Sequence, residues 1–274
     1  VRDVSENSEQ GTTISLPVTA SDPDTKAVDI LWRTLVYSIE TGNTASIFVV
    51  NIDSGQILVE KPQLNYENVP SYDIGYRASD KASPPLFEDT IVRITILDVN
   101  EPPIVIALEG QIDENSDVGT AVKTIPAVGS SALATQLLII SSDPDTCQNM
   151  MYTIDTSDDP ERFTISTTGA MELNTQDLDY ESLKLMNYKI TMTVRVTDDA
   201  VNCQFPSESH IAATFGTATY VVHVRDVQER PSLSNAQTSI DENSLIGTAI
   251  GEKLIDNDDD NTDLVGLQTL KFSI

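Results

Sequence analysis

Three times the chain writes Glu-Asn-Ser-x-x-Gly-Thr: "ENSEQGT" from Glu6, "ENSDVGT" from Glu114 and "ENSLIGT" from Glu242. The first two copies lie 108 residues apart and the last two 128. Solenoid repeats recur every 20 to 50 residues or so, and these steps are domain-sized. The chain is therefore read as stacked copies of one domain, two complete and a third cut short. Between turn signals the first copy runs through "TISLPVTAS", "TLVYSI", "SIFVVN", "GQILVE", "SYDIGYRAS" and "TIVRITILDV". The second answers with "MMYTI", "RFTIST", "GAMEL", "NYKITMTVRVT" and "ATYVVHVRDV". About seven short strands per hundred residues, rich in Val, Ile, Thr and Tyr, indicate an all-β sandwich. Copy two spends more residues before its first acidic motif, around "IPAVGSSALATQLL", so a longer early excursion is expected there.

Charge narrows the function. With 43 Asp and Glu against 16 Lys and Arg, the chain carries -27, which repels nucleic-acid phosphate and anionic lipid and calls for a cationic partner. A hydrophobic share of 39% argues for folded domains over solvated disorder. No run approaches the 20 or so apolar residues of a membrane span, and Val1 opens no secretory signal, so the chain is expected to be a piece of something longer. Nucleophile elbow, phosphate loop and zinc motif are all missing, and no enzyme is expected. Of the two histidines, His210 falls in a loop and His223 alternates with Val222 and Val224, which points it off the core face.

The acidic residues are not scattered. Copy one has Glu6, Asp22-Pro-Asp24, Glu67 in "LNYE", Asp80 and "DVNEPP" from Asp98. Copy two has Glu114, Asp143-Pro-Asp145, Asp179 and Glu181 in "LDYE", Asp198 and "DVQERP" from Asp226. Copy three has Glu242 and "DNDDDN" from Asp256. Clustered hard oxygen donors with almost no His or Cys select Ca²⁺. An EF-hand loop starting at Asp256 is excluded, because Asn261 stands at its sixth position and Leu267 at its twelfth.

These motifs, in this order within about a hundred residues, resemble the extracellular repeat of the cadherin family. The resemblance implies tandem seven-stranded Greek-key sandwiches, immunoglobulin-like in architecture, joined by calcium-binding linkers: residues 1–102, 103–230 and a truncated 231–274. Carried over residue by residue, it implies a first Ca²⁺ site from Glu6, Glu67, Asp98, Asn100 and Glu101 with Asp143, Asp145 and Asp198. A second would use Glu114, Asp179, Glu181, Asp226, Gln228 and Glu229 with Asp256 and Asp258. Asp22, Asp24 and Asp80 would form half a site facing a preceding repeat. Asn65 departs from the family's usual Asp, Glu101 likewise, and Gln228 stands for an Asn.

The implied function is a calcium-dependent cell-adhesion ectodomain segment, extracellular at the cell surface. Bound Ca²⁺ would stiffen the rod for homophilic or heterophilic contact with other cadherin-like ectodomains. The alternative is a carbohydrate- or matrix-binding module, or a pure spacer, on the same scaffold. If Asp145 and Asp198 share a cluster, Cys147 and Cys203 are brought close enough for a disulfide, with two free thiols as the alternative. Trp32, the sole tryptophan, is expected in the core of a strand.

Overall fold

The computed structural model describes residues 2–24, 26, 29–205, 212–230, 232–233, 238–249 and 256–257. Six strands belong to the first copy: β1 (Arg2–Ser5), β2 (Val36–Thr41), β3 (Phe48–Val50), β4 (Ile57–Val59), β5 (Ser71–Ser79) and β6 (Phe87–Leu97). The second begins with β7 (Ile104–Val105), β8 (Leu108–Asp113), β9 (Lys123–Thr124) and β10 (Ser141–Ser142). It continues with β11 (Met151–Ser157), β12 (Phe163–Ile165), β13 (Met171–Leu173), β14 (Lys189–Thr197) and β15 (Phe215–Arg225). Two short strands, β16 (Ser232–Leu233) and β17 (Asp256–Asn257), pair antiparallel with each other.

The same pairing scheme builds both copies. A four-stranded sheet has the order β1-β6-β5-β2, and the β3–β4 hairpin supplies the facing layer. In the second copy the sheet order is β11-β14-β15-β8-β9, with β12–β13 as the hairpin. A strand near the start of each copy lies parallel to its closing strand, β1 on β6 and β8 on β15. Two strands adjacent in a sheet but at opposite ends of the segment cannot be a hairpin, and this is the sandwich topology the strand count implied.

Alternation decides the core. Along β6, Val92, Ile94 and Ile96 are buried, and they pack with Ile14, Phe48, Ile57, Val59, Leu64, Ile74 and Tyr76. Along β14, Ile190, Met192, Val194 and Val196 point inward at every second position. Outward-facing neighbours pair across strands: Arg93 holds Asp73 through two bonds of 2.7 Å, and Arg77 holds Asp89 through bonds of 2.7 and 2.8 Å. His223, off the core face as alternation required, meets Glu109 at 2.9 Å. His210 lies outside the described residues.

Two expectations are corrected. "TISLPVTAS" is not a strand: Ser15 sits at φ 48° and Pro17 follows, so only Thr13 bridges to Leu58 while Ile14 still fills the core. Trp32 is not a core residue. It lies 51% exposed in a 3-10 turn, Ile30–Arg33, whose entry is fixed by Asp29 accepting the Leu31 amide at 3.0 Å.

The thrice-written motif has a backbone reason. Asn7, Asn115 and Asn243 adopt φ 55°, 54° and 65°, a left-handed conformation that Asn tolerates better than most residues. The following serine turns back on the chain, its Oγ donating to the carbonyl three residues earlier at 2.6 to 2.7 Å in every copy. Gly11, Gly119 and Gly247 then take φ 87°, 85° and 90°. A Cβ on any of these glycines would meet open space, so backbone conformation alone calls for glycine. Gly119→Ala is therefore expected to destabilise the protein by about 1–2 kcal/mol with no steric clash, and Gly119→Asn by less. Urea unfolding midpoints check this, and an unchanged midpoint for Gly119→Ala would contradict the conformational origin.

Candidate metal centre

Two compact units divide the contacts of the chain. One comprises Val1–Pro103, Ser142–Met150 and Thr197–Phe215; the other comprises Ile104–Ser141, Met151–Val196 and Gly216–Ile274. Among the described residues, each contains a group of closely spaced carboxylates.

In the first unit the scaffold is Glu6, which immediately follows β1. Its Oε2 accepts the Tyr66 amide and its Oε1 the Val99 amide, both at 2.7 Å. The turn carrying Glu67 and the strand end carrying Asp98 are thereby tied to one carboxylate. Asn7, turned by its left-handed backbone, donates its side-chain amide to Glu101. Glu6, Glu67 and Asp98 each offer an oxygen within 4.8 Å of one another, as do Glu67, Glu101 and Asp145. Five carboxylates thus interlock through Glu67. Cys203 lies within 4.8 Å of Asp98 and Asp145, but its sulfur is bonded to Cys147, which leaves oxygen as the donor.

The remaining expected residues surround this group. Asp143 Oδ1 accepts the Asp145 amide at 2.9 Å, the same turn that Asp22 makes with Asp24 at 2.7 Å. Asp198 Oδ1 takes the Ala200 amide, while its Oδ2 takes Thr214 and the Asn100 side chain. Asn100 Oδ1 accepts from Gln148, so its oxygen is engaged inside the unit. Asp145 is wholly buried whereas Asp24 is exposed, although both close a "DPD" turn. Asp80 is buried, with Oδ1 holding the Ala82 and Leu86 amides.

The second unit repeats the scaffold. Glu114 Oε2 accepts Tyr180 N–H and Oε1 accepts Val227 N–H, each at 2.7 Å, and Asn115 donates to Glu229. Glu114, Asp179 and Glu181 lie within 4.8 Å of one another. Asp179 Oδ1 also closes its own turn by accepting Ser182 N–H at 3.1 Å, as Asn65 Oδ1 does for Asn68 at 2.7 Å. The Asn65 departure therefore keeps the turn and gives up a charge. Asp226 and Gln228 follow β15 within the same unit. Asp256 is placed by its backbone in β17, and Asp258 lies outside the described residues.

A cation is suggested by what these oxygens lack. Glu101 Oε2, Asp143 Oδ2, Asp145 Oδ1 and Glu181 Oε1 are buried and accept no hydrogen bond. Buried acceptors are nearly always satisfied, and an all-oxygen, mostly anionic donor set suits a hard divalent ion such as Ca²⁺. Crowding and burial also act on the protonation of the acidic groups. Desolvation first, then the charges of Glu6, Glu101 and Asp98, pushes Glu67 up to about 7. Desolvation, with Asp98 and Glu101 adding to it, takes Asp145 to about 7. Glu181 rises to about 7 through desolvation and the charges of Glu114 and Asp179. Glu101, Asp143 and Glu114 are raised as well, desolvation leading each time.

The sequence motifs pointed to the carboxylates and missed the groups that orient them: Asn7, Asn115, Gln148, Thr214 and Gln204. The asparagines could have been found, since they belong to the repeated motif. Gln148, Gln204 and Thr214 lie in loops of copy two and carry no signal. Cys147 and Cys203 are joined, with Cα atoms 5.6 Å apart.

Residues 1–97 match the family model of the cadherin domain. Rat protocadherin Fat 2 is 36% identical over 149 residues, 53% of this chain and 3% of that protein. Cadherin-99C of Drosophila melanogaster is 30% identical over 257 residues, 89% of this chain and 13% of its own length. This chain therefore spans a small part of the curated relatives it matches. Among solved structures, mouse cadherin-23 EC22–24 superposes with a TM-score of 0.63 at 22% identity, covering 94% of this chain and 74% of that one.

The raised carboxyls set the pH response. In the unfolded chain Glu and Asp ionise near 4.5 and 3.8, while Glu67, Asp145 and Glu181 hold their protons in the folded protein to about 7. Their contribution to stability is full below the unfolded values and is lost as pH rises through about 7. Metal-free protein is therefore expected to melt higher at pH 5.5 than at pH 7.5. Millimolar Ca²⁺ should reverse that order. Thermal melts in chelator and in Ca²⁺ at both pH values decide it, and the same pH trend in both would count against metal binding at these carboxyls.

Proposed function

The chain belongs to the cadherin family, and on that premise we propose that it is a segment of a calcium-dependent adhesion ectodomain at the cell surface. Its sequence would divide into repeats at 1–102 and 103–230 with the start of another at 231–274. The observation that carries this reading is the group of Glu6, Glu67, Asp98, Glu101 and Asp145, whose oxygens crowd together with some of them bare. Two like charges 4 Å apart repel by about 4 kcal/mol at an effective dielectric near 20. Glu6, Glu67, Asp98 and Glu101 come from the body and end of copy one, and Asp143, Asp145 and Asp198 from the loops of copy two. Holding them together without metal is costly, and a divalent ion would supply the opposing charge.

Asn100, Asp143 and Asp198 complete the proposed first site around that group. The proposed second site uses Glu114, Asp179, Glu181, Asp226, Gln228 and Glu229 with Asp256 and Asp258. With Ca²⁺ bound, these residues tie consecutive repeats and stiffen the segment for contact with other cadherin-like ectodomains. Among the described residues no helix is long and apolar enough to cross a membrane. Extracellular modules of this kind bind Ca²⁺ at roughly 10⁻⁴ to 10⁻³ M, which matches the calcium of their surroundings.

Asp145→Ala is expected to weaken Ca²⁺ binding by about tenfold or more, the worth of one buried charged ligand, whereas Asp24→Ala should leave it within about twofold. Both stand at the same place in "DPD", and isothermal titration separates them. Equal losses would refute the assignment of Asp145 to a shared site. Bead aggregation by the coated protein, with and without Ca²⁺, then separates adhesion from a spacer or matrix-binding role.

A further inference from the structure

The Cys147–Cys203 disulfide sits against the first acidic group, and both of its arms reach the same stretch of chain. The Cys203 amide donates to Asp98 Oδ2 at 2.7 Å and the Gln204 amide to the same oxygen at 3.2 Å. The side chain of Gln204 closes on the strand end from which Asp98 projects. Its Oε1 accepts the Asp98 amide at 3.4 Å, and its Nε2 donates to the Ile96 carbonyl at 3.2 Å. On the other arm, Asp145 lies two residues before Cys147 and accepts the Glu101 amide at 2.9 Å. Gln148, next after Cys147, donates to the Val201 carbonyl at 3.0 Å and to the Asn100 side chain. Residues 96 to 101 are thus gripped from both ends of one covalent bridge.

A carboxylate that must meet a cation in one orientation loses affinity if it has to be ordered at the moment of binding. Here two backbone amides and one glutamine fix Asp98 beforehand, and the disulfide fixes the loop that carries them. We propose that the Cys147–Cys203 bridge and Gln204 form a clasp that positions Asp98 and Glu101, so that cation affinity at the first acidic group depends on the disulfide. The inference rests on the reading of that group as a Ca²⁺ site. The group around Glu114, Asp179 and Glu181 has no such clasp, because these are the only two cysteines of the chain. A bridge that merely stabilised the fold would not distinguish the two groups.

The test uses the full chain with the second group disabled by Asp179→Asn and Glu181→Gln, beside a chain with the first group disabled by Glu67→Gln and Glu101→Gln. Ca²⁺ is titrated before and after dithiothreitol, which becomes its cyclic disulfide as the protein gains two thiols. Reduction is expected to weaken binding about tenfold at the first group, the worth of a hydrogen bond to a charged group, and to leave the second unchanged. Gln204→Ala in oxidised protein should lower the first affinity by severalfold without moving the second. A metal-free readout stands beside these. In chelator, amide exchange at Asp98 should quicken about tenfold on reduction or in Gln204→Ala, since that amide loses its acceptor. Exchange that quickens in a chain that never binds Ca²⁺ would keep the clasp and sink the calcium reading. Unchanged exchange and affinity after proven reduction, or equal losses at both groups, would overturn the clasp.

Discussion

One glutamate side chain holds together three parts of the sequence that are otherwise far apart. Glu6 takes the amides of Tyr66 and Val99, 60 and 93 residues away, on its two oxygens at 2.7 Å. Glu114 does the same with Tyr180 and Val227. Hydrogen bonds to an ionised acceptor are stronger than neutral ones, and a buried carboxylate that loses them is costly. The glutamate therefore fixes where the opening strand ends, where the "LNYE" or "LDYE" turn sits and how the closing strand leaves the sandwich. The turn carrying Glu67 and the strand end carrying Asp98 take their places from that bond pair.

Such an arrangement is good for a cation and poor for a bare protein. The turns that project Glu67, Asp98 and Asp145 are held by backbone geometry and hydrogen bonds that do not depend on metal. These bonds bring the carboxylates within 4.8 Å of one another. The protein responds by keeping protons, with Glu67 and Asp145 both carried to about 7. Ion binding and proton release are thereby linked at the same oxygens. The disulfide adds a covalent brace on one side of this group, where two loops from copy two meet the end of copy one.

Much of the fold and of the acidic group was legible because it repeats. Glu6 and Glu114, the paired "DPD" turns and the "LNYE" and "LDYE" turns occupy matching places, and two copies of a local geometry leave two copies of a pattern. The strands were legible because β6 and β14 bury every second residue. Gln204, Gln148 and Thr214 were not, since the partners that bring them to the acidic group, Asp98, Asn100 and Glu101, lie 106, 48 and 113 residues away and only one copy carries them. Trp32 was misjudged because alternation says nothing about a segment that is a capped turn: Asp29 bends the chain there, and the ring has no sheet face to join. The cysteine pair was foreseen only through the resemblance, which placed Asp145 and Asp198 at one end of a sandwich.

The most direct measurement is a crystal structure of the chain grown in Ca²⁺, with anomalous scattering used to locate the ions. The expected result is an ion among Glu6, Glu67, Asp98, Glu101 and Asp145, with carboxylate oxygens at about 2.3–2.6 Å and the bare Glu101 and Asp145 oxygens among its ligands. Those five carboxylates surrounding ordered water alone at saturating Ca²⁺, or an ion bound elsewhere while Glu67 and Asp145 stay protonated, would contradict it.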